Sequence, residues 1–269
     1  MSLREPAVAG QFYPGRADEL RREVTGYLAR GAGEKITARG CVVPHAGYVY
    51  SGGVAGAVYA RLNLPRRFVI LCPNHTGKGA PLAILSEGEW KTPLGNIRVD
   101  NELASVLKQE LKLLTEDSAA HRSEHAIEVH LPFLQTLVPD FSLVPIAVGT
   151  GQYEVLAALG IAIARAIEKI APETLIIASS DMNHYESDGV TRVKDAKAID
   201  QVLALDPRGL YEVVQREHIS MCGYGPAVAM ITAAKRLGAT SAELIGYATS
   251  GEVSSAQGWV VGYAGIVVV

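Results

Sequence analysis

Three histidines in this chain each follow an apolar run by only a few residues. His45 follows the run 42–43, His75 follows 70–72 and His184 follows 176–178. Imidazole is the commonest protein ligand for zinc, iron and copper, and its charge changes near neutral pH, so metal binding and acid–base catalysis both suit these residues. A lone loop histidine more often has a packing or surface role, but three with the same placement favour a common site.

Cys222 is the fourth candidate, because it lies just before a helical pattern that begins at Pro226. The positive end of a helix lowers the pKa of a nearby thiol, which favours either metal ligation or nucleophilic attack. A tight packing position among glycines is the alternative interpretation of Cys222. Cys41 and Cys72 lie inside apolar runs and are predicted to be ordinary core residues.

Asp181 lies three residues before His184 and could orient an imidazole ring through a hydrogen bond. Capping of a loop or helix is an equally good interpretation of Asp181. His121 and His218 have no supporting context, and both are predicted to be surface residues. Tyrosine hydroxyls near these loops could orient a substrate or simply form a wall, and the residues concerned are Tyr48, Tyr50, Tyr185 and Tyr224.

The segment 123–132 is dense in metal-ligating residue types and is predicted to belong to a helix over Glu124–Val138. His125 and Glu128 are spaced i, i+3 and could share one face. His125 and His130 are spaced i, i+5 and point apart on a regular helix, unlike the i, i+4 pair of a zinc-protease helix. One of them is therefore expected to line the pocket while another caps or packs. The further residues predicted for the pocket are Tyr48, Asn74, His125, His130 and Tyr185.

The loops that hold these side chains are positioned by a predicted α/β fold, because short β-branched runs alternate with helical patterns. Strands are predicted at Gly40–Val43, Phe68–Cys72, Ser142–Val148, Leu175–Ser179, Leu244–Ala248 and Val260–Val268. Helices are predicted between Ala17 and Gly31 and at Gly53–Leu62, Asn101–Lys112, Glu124–Val138, Val155–Ile170, Val190–Leu205 and Pro226–Leu237. This order predicts a largely parallel or mixed sheet flanked by helices. Ligands of such sheets bind beyond the carboxyl ends of the strands, where the three histidines are expected to converge with Cys222.

Length and composition predict one domain over residues 1–269. Hydrophobic residues make up 48% of the chain, and no linker, charge block or repeat divides it. A net charge of −3 with interspersed signs argues against nucleic acid as a partner. The apolar runs are too short to cross a bilayer and no leader pattern opens the chain, so no membrane partner and a cytoplasmic location are expected. Three cysteines suit a reducing compartment better than a disulfide framework.

Several motifs together closely resemble those of the Memo family. They are Pro44-His45-Ala46-Gly47-Tyr48, Pro73-Asn74-His75, Glu124-His125-x-Ile127-Glu128-x-His130-Leu131-Pro132, Ser180-Asp181-x-Asn183-His184-Tyr185 and Cys222-Gly223. The resemblance runs from Val8 to the closing strand at Gly262-Tyr263 and so covers nearly the whole chain. Memo proteins are similar to the class III extradiol ring-cleaving dioxygenases of the LigB type, which implies a LigB-dioxygenase-like fold.

The resemblance also implies a metal centre. LigB-type dioxygenases bind non-haem Fe(II) through two histidines and a glutamate, and another histidine is their acid–base residue. By this resemblance His45 and His75 are the imidazole ligands and Cys222 stands where the dioxygenases have glutamate. His184 matches the acid–base histidine. A thiolate in place of a carboxylate softens the site, so copper suits it as well as iron(II), zinc is a further option, and catechol cleavage does not follow.

Three functions stay open at this point. The first is a metal-dependent, dioxygenase-like oxidoreductase acting on an aromatic or carbonyl compound. The second is a hydrolase or transferase with Cys222 as nucleophile, His184 as base and Asp181 as the orienting residue. The third is a vestigial or metal-storing site in a protein that binds peptides or a partner. The substrate, and whether the protein is a homo-oligomer, are left open by the sequence.

Overall fold

The computed structural model describes residues 2–31, 33–253 and 258–269. Within these ranges the chain forms twelve strands and nine α-helices. The strands are β1 (Leu3–Arg4), β2 (Gly40–Val43), β3 (Arg67–Pro73), β4 (Leu82–Ile84), β5 (Glu89–Thr92), β6 (Gly95–Val99), β7 (Thr115–Glu116), β8 (Ser142–Val148), β9 (Leu175–Ser179), β10 (His184–Glu186), β11 (Ala242–Thr249) and β12 (Val260–Val268). The helices are α1 (Ala17–Leu28), α2 (Tyr48–Arg61), α3 (Asn101–Glu110), α4 (Ala119–Arg122), α5 (Leu131–Leu137), α6 (Tyr153–Ile170), α7 (Asp188–Leu203), α8 (Pro207–Arg216) and α9 (Tyr224–Arg236).

A mixed sheet forms the centre of the molecule, with the strand order β1-β5-β6-β8-β3-β9-β2-β12-β10. The five strands from β6 to β2 run parallel to one another, whereas β12 is antiparallel to β2, β10 and β11. Because β3, β9 and β2 are adjacent and parallel, the loops that follow all three emerge at one edge of the sheet. The predicted α/β sheet flanked by helices is confirmed.

The central strands are buried on both faces, as is typical of parallel strands covered by helices. In β3, Val69 and Leu71 belong to one hydrophobic cluster while Ile70 and Cys72 belong to a second. The first cluster packs against α3, α6, α7, α8 and α9, and the second packs against α1, α2 and α5. Each such buried side chain stabilises the fold by about 1.5–3 kcal/mol. The strands therefore hold the loops at their carboxyl ends on a rigid base.

Most of the predicted elements are confirmed. The strands whose predicted bounds match the structure are Gly40–Val43, Ser142–Val148, Leu175–Ser179 and Val260–Val268. β3 and β11 are longer than predicted by one or two residues at each end. β1, β4, β7 and β10 are absent from the prediction, because two or three residues are too few to show a periodic pattern. The strands β5 and β6 and the helices α4 and α8 are absent from it as well.

Two helix predictions are wrong in part. α2 begins at Tyr48 and not at Gly53, because the Tyr48 ring is buried against the rings of Tyr13 and Phe133. The stretch 124–127 is not helical, since the Glu124 carboxylate accepts a hydrogen bond from the Ala126 N–H and this local bond competes with a helix. Helical structure starts there with a 3-10 turn over Glu128–His130, followed by α5.

Other residues of the chain behave partly as expected. Cys41 and Cys72 are fully buried, which confirms their predicted core positions. The prediction that His121 is a surface residue is wrong, because its ring lies fully buried beside Trp90 and its carbonyl accepts a hydrogen bond from Arg4 of β1. His218 is exposed, as predicted. Among the described residues, no helix is both long and apolar enough to cross a membrane.

Candidate metal centre

The carboxyl ends of β2, β3 and β9 bring chemistry-bearing side chains to one cavity. His45 lies two residues after β2 and His75 two residues after β3, while Asp181 lies two residues after β9. The cavity has a volume of about 920 Å³, and its wall includes His45, His75, His125, Asp181, His184 and Cys222. The three histidines singled out in the sequence and Cys222 therefore line one space.

His45 is the buried base of this cavity, with 1% of its surface exposed. Its Nδ1 lies 2.7 Å from the Ser179 Oγ, which also lies 2.8 Å from His130 Nε2 and donates its own proton to the Ala126 carbonyl at 2.6 Å. Because a hydroxyl has one proton, both rings must donate to Ser179. The His45 Nε2 lone pair is then free toward the cavity. Burial lowers the pKa of His45 well below its usual range, and His75 and His125 lower it further.

His75 is held by a single carboxylate. Its backbone N–H donates to Glu124 Oε2 at 2.7 Å and its Nδ1 donates to Oε1 at 2.9 Å. Burial alone would raise the pKa of Glu124, but the hydrogen bonds that its carboxylate accepts from His75 and Ala126 lower it below the ordinary value. The ionised carboxylate keeps the proton of His75 on Nδ1, so the His75 Nε2 is available as a ligand.

His125 is the third imidazole of the cluster. Suitable ring nitrogens of His45, His75 and His125 all lie within 4.8 Å of one another. The His125 ring stacks on His75, with centroids 4.9 Å apart and planes 19° apart, and the edge of Phe12 packs against it at 4.8 Å. Burial lowers the pKa of His125, and the nearby Glu124 opposes only part of this effect. His125 is thus the histidine of the segment 123–132 that lines the cavity.

The thiol of Cys222 lies next to the His45 ring. Its Sγ lies 3.3 Å from His45 Nε2 and 3.7 Å from the carbonyl oxygen of Asp181. The expectation that a helix terminus lowers the pKa of Cys222 is wrong, because burial and the nearby Asp181 carboxylate raise it. A Cβ at Gly223 would collide with the Ser179 carbonyl and Ser180, so only glycine lets the chain after Cys222 approach β9 so closely.

Asp181 holds the loop that bears His45. Its Oδ1 accepts a hydrogen bond from the His45 backbone N–H at 2.8 Å, and burial raises its pKa to about 7. The structure therefore favours the loop-capping interpretation of Asp181, although its side chain also faces the cavity.

His184 begins β10 and lies against the loop before Cys222. Its Nδ1 donates to the Ser220 carbonyl at 2.9 Å and its backbone N–H donates to Ser220 Oγ at 2.7 Å. Asn183 Oδ1 in turn accepts the Ser220 N–H at 3.0 Å. Burial lowers the pKa of His184, so the ring is neutral with its Nε2 unprotonated. Tyr185 follows with φ of 59°, a left-handed conformation that turns its exposed ring to the cavity mouth.

Three residues predicted to line the pocket lie elsewhere. The Tyr48 hydroxyl donates to the Val129 carbonyl inside the second hydrophobic cluster. Asn74 Oδ1 accepts from Thr76 and Gly77 and so shapes the His75 loop. His130 is fully buried behind Ser179, because the 3-10 turn rotates it away from His125.

The sequence also left functional neighbours unrecognised. Ser179 and Glu124 orient the imidazoles, and only the position of Glu124 within the histidine-rich segment hinted at this. Glu128 accepts hydrogen bonds from the Ala7 and Val8 N–H groups and the Tyr13 hydroxyl, and it pairs with Arg4. The segment 7–13 is thereby fixed beside the site, where Gln11 and Phe12 form part of the cavity wall.

Comparison with known proteins agrees with these motifs. The family described as Memo-like protein matches residues 4–267. A MEMO1 family protein of Methanosarcina barkeri is 46% identical over 99% of this chain and all of its own length. A MEMO1 family protein of Methanopyrus kandleri is 42% identical over 98% of each chain. A crystal structure of an uncharacterized protein from Escherichia coli K12 has a TM-score of 0.46 and 14% identity, covering 74% of this chain and 87% of that one.

Proposed function

The chain belongs to the Memo family, and on that premise we propose that it is a metal-dependent oxidoreductase whose cavity binds one transition-metal ion. His45 and His75 are the two imidazole ligands. The observation that supports this most directly is the cluster of His45, His75 and His125, whose ring nitrogens lie within 4.8 Å of one another.

The donor groups fit a metal ion. The Nδ1 atoms of His45 and His75 each donate to an oxygen, of Ser179 and of Glu124, which leaves both Nε2 atoms unprotonated. The His45 Nε2 has the Cys222 Sγ as its neighbour at 3.3 Å. Metal-binding histidines typically donate their other ring N–H to a carboxylate or another acceptor in this way. The low pKa of His45 keeps the ring in the neutral form that a metal requires.

Cys222 is the third ligand that we favour. A nitrogen and a sulfur bound to one ion are about 3.3–3.6 Å apart, given bond lengths of about 2.0 and 2.3 Å. The separation of 3.3 Å between His45 Nε2 and Cys222 Sγ meets this requirement for that pair of atoms. His125 is the competing third ligand, because its ligand nitrogen lies within 4.8 Å of those of His45 and His75. Its ring is stacked on that of His75, with the two planes 19° apart.

Two nitrogens and one sulfur suit copper, iron and zinc, and a bound iron or copper ion supplies one-electron chemistry beside the substrate. The remaining steps depend on the protein. His184 presents an unprotonated Nε2 to the cavity and can accept a proton from a substrate. Asp181 keeps the His45 loop in place through the backbone hydrogen bond. The roughly 920 Å³ of the cavity admit a small organic molecule.

Elemental analysis of protein purified without chelator tests the proposal. We expect about one iron or copper ion per chain in the wild type and loss of it in His45→Ala and His75→Ala, with His218→Ala as an exposed control. Circular dichroism of each variant establishes that the fold is retained. Wild-type protein that stays metal-free when iron(II), copper and zinc are supplied would contradict the proposal.

The third ligand is tested by comparing Cys222→Ser with His125→Ala. We expect Cys222→Ser to weaken metal binding at least tenfold and to remove any sulfur-to-metal charge-transfer band of the copper form, whereas His125→Ala changes the affinity less. The opposite order would assign the third position to His125.

The alternative of a cysteine-nucleophile hydrolase or transferase receives less support. Its nucleophile needs a thiolate, but burial and Asp181 raise the pKa of Cys222. Its base also differs, since the imidazole beside the thiol is His45 and not His184.

A further inference from the structure

The charges around the cavity have one sign. Among the described residues, its wall contains the carboxylates Glu23 and Asp181 and no lysine or arginine. The undescribed positions hold Met1, Ala32, two serines, an alanine and a glutamine, so none adds a basic side chain. A ligand carrying phosphate or carboxylate would therefore meet no lysine or arginine side chain among the described residues of this wall.

Glu23 is the carboxylate of this wall that the metal centre does not use. It projects from α1, and its Oε1 accepts a hydrogen bond from the Tyr27 hydroxyl at 3.0 Å. Within the described part of the chain no lysine, arginine or histidine forms an ion pair with it, and Arg30 lies over the Tyr27 ring, with its Cζ 5.3 Å from the ring centroid. Glu19, one turn earlier, pairs with Arg16. A partly buried carboxylate that faces a cavity without a cation is a binding group for a positively charged ligand.

Aromatic rings add to the same preference. Phe12, Tyr50, Tyr185 and Tyr263 line the cavity, and the residues Tyr50 and Tyr185 are 43% and 68% exposed. The face of an aromatic ring attracts an organic cation, and several rings around one space are the usual recognition device for alkylated ammonium groups. The rings also bury the apolar body of such a ligand.

We infer that the cavity binds an organic cation, an amine or quaternary ammonium with an apolar or aromatic body, and that Glu23 receives its charged end. The inference rests on the proposed function in one respect: the uncharged end of the bound cation faces the proposed metal centre. A primary amine can donate hydrogen bonds to Glu23 while its carbon chain lies along the tyrosine rings. Glu23 thus selects the charge of the substrate and takes no part in its chemistry.

A pair of probes that differ only at one end tests this assignment. Tyramine carries an ammonium group where 4-propylphenol carries a methyl group, and both have the same phenol and spacer. Calorimetric titration of metal-loaded wild-type protein, Glu23→Gln and Glu19→Gln gives the dissociation constants. We expect Glu23→Gln to weaken tyramine binding about tenfold and 4-propylphenol binding less than twofold. Glu19→Gln should change neither.

Three results would overturn the inference: no tyramine binding at millimolar concentration, equal losses for both probes in Glu23→Gln, or no loss for either. Metal content measured on the same samples separates the two proposals. If the wild type binds no metal but Glu23→Gln still weakens tyramine binding selectively, the result counts against the metal-dependent function alone. Protein that binds metal at His45 and His75 without preferring the amine counts against the cation site alone.

Discussion

At the level of single residues, the Ser179 hydroxyl determines which ring nitrogens of His45 and His130 are protonated. Ser179 Oγ donates to the Ala126 carbonyl and must therefore accept from both His45 Nδ1 and His130 Nε2. The tautomer that leaves His45 Nε2 free is a consequence of this arrangement, since the opposite tautomer would put two lone pairs face to face. Ser179 is thus a positioning residue for the proposed metal centre.

Replacing Ser179 should weaken metal binding without removing a ligand. In Ser179→Ala the His45 ring loses its acceptor and becomes free to change tautomer, so we expect about a 10- to 100-fold loss of metal affinity. Competition with a chelator of known affinity measures the loss on protein held well below its thermal transition. Ser86→Ala, whose hydroxyl pairs with Glu116 outside the cavity, is the control. Affinity equal to that of the wild type would show that Ser179 does not orient His45.

Cys222 should react slowly with alkylating reagents in the metal-free protein. Burial and Asp181 raise its pKa, so little thiolate exists at pH 7.5. We expect iodoacetamide to modify Cys222 at least tenfold more slowly than free cysteine, measured by mass spectrometry of the peptide. Rapid modification that persists in chelator would instead favour the cysteine-nucleophile function.

At the level of secondary-structure elements, one buried ion pair holds β1 and the segment 7–13 in place. Glu128 and Arg4 pair in the interior, Arg4 lies over the Trp90 ring with its Cζ 4.4 Å from the ring centroid, and Glu128 also binds two backbone N–H groups of the segment 7–13. β1 and the cavity wall formed by Phe12 are therefore held through a single carboxylate.

Glu128→Gln should lower the free energy of unfolding by about 3 kcal/mol, because it leaves the buried Arg4 without its counter-charge. Urea unfolding followed by circular dichroism measures the change. Glu5→Gln removes a carboxylate of the same segment, but its partner Lys91 is exposed, so we expect less than about 1 kcal/mol. Equal effects of the two substitutions would mean that the buried pair does not anchor the segment.

At the level of the whole molecule, the buried carboxyl group of Asp195 should make the free energy of unfolding depend on pH. Asp195 on α7 accepts hydrogen bonds from the Asn183 N–H at 2.8 Å and the Tyr247 hydroxyl at 2.7 Å, and so joins α7, β11 and the loop before His184. Burial raises the pKa of Asp195 to about 6, from 3.8 in an unfolded chain. The folded protein therefore binds more protons than the unfolded chain between these two values.

This difference in proton binding determines whether stability rises or falls with pH. The stabilising contribution of Asp195 is complete below about pH 4 and is lost as the pH rises through 6, in total about 3 kcal/mol. We expect the difference in unfolding free energy between wild type and Asp195→Asn to decline by about this amount from pH 4 to pH 7. Urea titrations at four pH values measure it, and a difference that is constant with pH would contradict the raised pKa.

Local sequence patterns determined much of the architecture. The uninterrupted apolar runs of β2, β8 and β9 predict buried parallel strands, and the histidines two residues beyond β2 and β3 had to lie at the carboxyl edge of the sheet. Chain direction alone is sufficient for that inference, because parallel strands all end at the same edge. The histidine and cysteine motifs also indicated the Memo family from the sequence.

Other features were decided only by tertiary structure. His125 joins His45 and His75, and Glu124 and Ser179 orient them, through contacts between segments that are 49 or more residues apart, which no local periodicity encodes. The pKa of Cys222 illustrates the physical reason. Its place before a helix predicted a lowered value, but burial and the carboxylate of Asp181, in the loop after β9, raise it. Desolvation depends on what the rest of the chain places around a group, and that is known only once the chain has folded.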